Sequence, residues 1–156
     1  MQTLGMLLKE KTSSVITTVG PRSTVSAAVR SMMDANVGAA VVLEGQRLLG
    51  ILTERDVMVR VVGQRRDPDG TTASDVMTSP VCTATRATGI HEAMALMSRR
   101  RHRHLPVVEN GVVYGLISMG AVTLAIIREQ AEQFDHAIGA VKHMGYTRRG
   151  GWSSAR

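Results

Sequence analysis

The chain has one cysteine, Cys82, so no internal disulfide framework can hold it together. Aromatic residues are scarce too, with one Trp, two Tyr and one Phe in 156 residues. A core must then be built from aliphatic side chains and the ten methionines, a mix that suits packed α/β layers. The same scarcity counts against a single-stranded nucleic-acid binder, which interleaves stacking aromatics with basic residues. No stretch approaches the roughly 20 consecutive apolar residues of a membrane span. The opening MQTLGMLLKEKTSS has no basic leader before its apolar patch, unlike a secretory signal. The expectation is a cytoplasmic protein without a membrane segment. Also missing are a P-loop, a dinucleotide fingerprint, a nucleophile beside a base and paired catalytic acids, so the expected class is not an enzyme.

What is present is a surplus of positive charge and a repeat. Nineteen Lys and Arg against thirteen Asp and Glu give a net charge of +6, which favours anionic partners. GILTERD at 50–56 matches GLISMGA at 115–121, an offset of 65 residues that extends ungapped for some thirty residues upstream. Val25, Ala28, Val29 and Met32 then fall on Ile90, Ala93, Met94 and Met97, each set spaced as the buried stripe of a helix. AAVVLEGQRLLGILT falls on HLPVVENGVVYGLIS, each a pair of apolar runs around a tight turn, Gly45-Gln46 or Asn110-Gly111, as in a β-hairpin. A short β-prone piece precedes each helix, SVITTV and PVCTAT, and a further helix follows each hairpin, from about Glu54 to Val62 and from Met119 onward.

The expected fold class is α/β: two pseudo-symmetric β-α-β-β-α motifs packed through their sheets, sharing a core, with a long C-terminal helix. The spans are an N-terminal segment at 1–14, motif 1 at 15–66, a linker at 67–74, motif 2 at 75–130, and a helix extension with a frayed basic tail at 131–156. Leu124, Ile127, Ala131, Phe134 and Ile138 share one side of the last helix. Met32, Met33, Met94 and Met97 are expected in the core.

This arrangement resembles a tandem pair of cystathionine-β-synthase (CBS) domains, a Bateman module, over roughly Val15 to Gln130. The resemblance is carried by the two ordered units, by GILTERD, by RHLPVVENGVVYGLIS, and by DVMTSP at 75–80. It implies a regulatory module that binds an adenosine-containing ligand (AMP, ADP, ATP, NAD or S-adenosylmethionine) in the cleft between the motifs. Asp56 would take the two ribose hydroxyls and Thr53 would approach ribose or phosphate, with Arg55 beside them. Arg103 would offer a guanidinium fork to phosphate and His104 a second donor. Cys82 is placed by resemblance in the first strand of motif 2, lining the same pocket, and Thr17, Gly38 and Ser118 complete the cleft. Family members commonly pair into discs, so a homodimer and a regulated partner protein are implied.

The residues leave other readings open. Thr53-x-x-Asp56 also has the form of a helix capping box. The second copy carries Ala121 where the first has Asp56, so a degraded or repurposed second site is expected. In SRRRHRHLPVV, Arg99 to Arg101 suit the C-terminal end of a helix dipole. His102 and His104 would share a strand face as an H-x-H metal pair, although no third ligand is evident. His91, His136 and His143 are expected to be solvated, and Cys82 is otherwise a small apolar filler. A ligand-free dimerisation module is the main alternative function. Nucleic-acid binding through Arg148, Arg149 and Arg156 trails it.

Overall fold

The computed structural model describes residues 2–10 and 16–146. The tail arginines and part of the first β-prone piece lie outside them. Helix α1 (Leu4–Glu10) comes first, followed by β1 (Thr18–Val19), α2 (Val25–Asp34), β2 (Ala39–Glu44) and β3 (Arg47–Thr53). Helix α3 (Glu54–Val57) runs into a π-helical turn, Met58–Val62. Next come α4 (Ala73–Val76), which begins inside the stretch expected as a linker, α5 (Ile90–Arg100), β4 (His104–Glu109), β5 (Val112–Ser118) and the 28-residue α6 (Met119–Tyr146).

The repeat survives folding residue for residue. The β2–β3 hairpin pairs Ala39 with Thr53, and the β4–β5 hairpin pairs His104 with Ser118, positions related by the same offset. Each hairpin carries a bulge at the same place, Val42/Leu43 and Val107/Val108. Asn110 and Gly111 both have positive φ, as a two-residue turn matched to strand twist requires. The helix stripes are buried as their spacing implies: Val25, Ala28 and Met32 in α2, and Ile90, Ala93 and Met97 in α5. Thr24 caps α2 by accepting from the Ala27 N–H at 3.2 Å. Met33 departs from expectation. It lies just off the stripe and is 74% exposed.

A second departure is the piece PVCTAT, which forms no strand. Only Ala84 bridges β4, in parallel with Val107, the counterpart of the Val19–Val42 pair in motif 1. The reason is one residue. The Val41 N–H donates to the Thr17 carbonyl at 2.9 Å, but the position equivalent to Val41 is Pro106, which has no N–H to give. The third strand of the second sheet is therefore cut to a single bridge.

The two motifs do not share one core. Buried residues form two clusters, one around Val25, Val42, Leu52 and Val61, the other around Ile90, Met97, Leu105 and Ile117. The motifs are instead interlocked by the segments that precede them. Helix α1 packs on motif 2: Leu4 and Leu7 belong to its cluster, and the Leu4 and Gly5 N–H groups donate to the Thr88 and Arg86 carbonyls. The stretch 71–77 packs on motif 1, with Ala73 and Val76 in its cluster and the Val25 N–H donating to the Thr71 carbonyl. Between the units β3 touches β5.

Candidate ligand cleft between the two repeats

The turn that closes GILTERD is a complete capping box. Asp56 Oδ2 accepts from the Thr53 N–H at 2.9 Å and from the Thr53 hydroxyl at 2.7 Å, while Thr53 Oγ1 accepts from the Asp56 N–H at 3.2 Å. The carboxylate is 7% exposed, and its second oxygen is also engaged. Oδ1 accepts from the Thr78 hydroxyl at 3.0 Å and lies 3.4 Å from Arg60 Nη1. Arg60 Nη1 in turn donates to the Val76 and Met77 carbonyls, at 2.7 Å each. One carboxylate thus joins the α3 turn to the segment that leads into motif 2.

Asp56 borders a cavity of about 360 Å³ between the motifs, walled also by Thr53, Arg55, Arg60, Thr78, Val81 and the run Arg101 to His104. Arg101, Arg103 and Arg55 are exposed and, among the described residues, in no ion pair. The wall therefore offers one carboxylate and a surplus of guanidinium groups, a charge balance that suits an anion. Arg101 ends α5 in the left-handed region, φ 53°, which turns the chain from the helix into the cavity wall.

A larger cavity of about 850 Å³ adjoins it, sharing Gly38, Arg103 and His104. Ser118, Met119 and Gly120 line it together with apolar side chains of α2 and of the π-helical turn. Ser118 still caps its helix, accepting from the Ala121 N–H at 3.3 Å, as Thr53 does for Asp56. The second copy thus retains the turn and lacks the carboxylate.

Of the sequence-derived site residues, the structure brings Thr53, Arg55, Asp56, Arg103 and His104 around the smaller cavity, with Gly38 at its edge, and puts Ser118 on the larger one. It does not bring Cys82 or Thr17 to either. Cys82 is half-buried against the motif 2 core, and Val81 faces the cavity in its place. Without a strand at 81–83, alternation does not set which side chain points inward. Thr17 serves through its carbonyl, bonded to Val41. His102 precedes β4, so it shares no strand face with His104, although both line the cavity. Among the described residues no three His, Cys, Asp or Glu side chains gather as a metal set. His91 is not merely solvated, since its Nε2 lies 2.8 Å from Glu129 Oε2 and ties α5 to α6. Thr78 and Arg60 are the residues that sequence reasoning missed. DVMTSP was a recognisable segment, but nothing in its spacing places Thr78 against Asp56.

The sequence model of the CBS domain matches residues 9–63 and 73–128. The chain belongs to the CBS-domain family. It is 40% identical over 115 residues to the CBS domain-containing protein CBSX3, mitochondrial, of Arabidopsis thaliana, a match covering 70% of this chain and 56% of that one. The chain thus spans little more than half the length of that relative. It is 30% identical over 136 residues to the CBS domain-containing protein YhcV of Bacillus subtilis, covering 87% of this chain and 95% of that one. A Burkholderia ambifaria structure described as a signal-transduction protein with CBS domains superimposes with a TM-score of 0.79 at 36% identity, over 83% of this chain and 96% of that one. Two CBS domains in tandem, a Bateman-type pair, account for most of the chain. No helix among the described residues is long and apolar enough to cross a membrane.

Proposed function

We propose that this CBS pair is a non-catalytic regulatory module that binds an adenosine-containing nucleotide in the smaller cavity. One observation carries the reading: the buried carboxylate of Asp56 and the exposed guanidinium of Arg103, from opposite repeats, border the same cavity. An ionised carboxylate only accepts hydrogen bonds, so it matches a sugar diol, while Arg103, Arg101 and Arg55 match phosphate. In the structure Asp56 Oδ1 is occupied by Thr78 and faces Arg60. The diol therefore enters by replacing the Thr78 hydroxyl, which couples ligand entry to the segment joining the motifs. A ligand that binds this rearranged state better shifts the population toward it and signals to a partner protein.

The test is a thermal-shift titration with AMP, ATP, NAD and S-adenosylmethionine. At 100 times its dissociation constant a ligand specific to the native state adds about 2.7 kcal/mol of stability. Asp56→Asn and Arg103→Ala should each lose that gain, and Arg103→Ala should do so with an unchanged ligand-free melting temperature. If none of the four ligands moves the melting curve, the nucleotide reading fails.

A further inference from the structure

The larger cavity, about 850 Å³, differs in chemistry from the smaller one it adjoins. Val29, Met32, Met33, Val57, Met58 and Val62 line it, from α2, α3 and the π-helical turn, and among the described residues no aromatic ring does. It cannot take a second ribose as the smaller cavity would, because the turn at Ser118 leads to Ala121 where the first copy has Asp56. The two cavities nevertheless meet along a common boundary of Gly38, Arg103 and His104. A ligand whose phosphate lies at that boundary therefore has an apolar trough beyond it.

The boundary also limits charge. A Cβ on Gly38 would lie 2.8 Å from Glu54 Oε2, so a carboxylate shares the boundary with the Arg103 guanidinium. One cation offset by one carboxylate suits a phosphate with a single negative charge better than the run of charges on a triphosphate. Flexible methionines and valines, with no ring to stack on, suit an unbranched hydrocarbon chain better than a flat heterocycle. We propose that the cleft takes an adenosine 5′-monophosphate carrying one long hydrocarbon chain on its phosphate, with the chain lying in the larger cavity, an inference that rests on nucleotide binding in the smaller one. An acyl adenylate, the mixed anhydride of a fatty acid and AMP, has this constitution. It offers a free ribose diol to Asp56, one anionic phosphate oxygen to Arg103 and an apolar tail to the methionines. The reaction class that supplies it is activation of a carboxylate by ATP with loss of pyrophosphate.

Calorimetric titration of the full chain with the methyl and octyl esters of AMP tests this, below the concentration at which the octyl ester aggregates. The octyl ester should bind at least about tenfold tighter, the gain from burying roughly two of its added methylenes. Met33→Glu and Met58→Glu, at positions 74% and 60% exposed, should abolish that gain. Both variants should keep the methyl ester's affinity within about twofold, as surface substitutions do. Phe134→Glu, on the exposed stripe of α6, should retain the gain, which separates the cavity from other apolar surface. Excess AMP should displace the octyl ester. Equal affinity for the two esters, or binding of AMP alone, overturns the proposal and leaves nucleotide binding standing. Failure of AMP and both esters to bind overturns both. An octyl gain that survives Met33→Glu and Met58→Glu, that Phe134→Glu removes, or that AMP does not compete places the chain elsewhere and overturns the proposal.

Discussion

Gly50, Asp56 and Thr78 form one local unit. A Cβ on Gly50 would lie 2.9 Å from the Thr78 carbonyl oxygen and on the Met77 side chain, so this glycine is required by the segment crossing over it. Gly50→Ala should therefore cost about 1–3 kcal/mol in urea unfolding, the range for overpacking a tight site. Thr53→Ala removes the cap hydroxyl and should cost about 1 kcal/mol, measured the same way. Two carboxylates, exposed Asp75 and partly buried Glu129, give a pH dependence with a definite sign. The Thr72 hydroxyl and N–H hold Asp75 below its ordinary 3.8, and His91 holds Glu129 below its ordinary 4.5. Their stabilisation is present above those ordinary values and is lost as pH falls through the depressed ones. Melting temperature should thus decline on acidification below about pH 4, and Asp75→Asn should flatten the decline.

At the scale of the element, proline and the N-terminal helix decide most. Pro106→Val supplies the donor that Val41 has in motif 1, so the bridge at Ala84 should lengthen toward Cys82. Hydrogen exchange should show a newly protected amide at 106, with a gain near one ordinary hydrogen bond, about 0.5–1.5 kcal/mol. Helix α1 is only seven residues, yet Leu4 is fully buried in the motif 2 cluster. Leu4→Ala should cost about 2–5 kcal/mol. The loss of exchange protection should centre on α5, β4 and β5, far in sequence from the change, while motif 1 holds. Protection lost evenly from both motifs would contradict the separation into two clusters.

Across the whole molecule, the sequence by itself determined the repeat and most of its contents. The fixed offset, the helix stripes, the hairpin turns and the capping box at Thr53 and Asp56 are all written in short-range spacing. Local periodicity reports which side of an element is buried, because helices and strands have fixed repeats. The run of cations entering β4 was equally legible as charge. The tertiary structure alone decided what crosses between motifs: α1 completing motif 2, residues 71–77 completing motif 1, and Thr78 and Arg60 meeting at Asp56. It also replaced Cys82 with Val81 at the cavity and left the α6 stripe uncovered. Each of these depends on contacts between residues far apart in the chain or on a strand that a single proline cut short. Periodicity carries no record of which distant segment fills a given face, so that choice is made only when the two repeats pack.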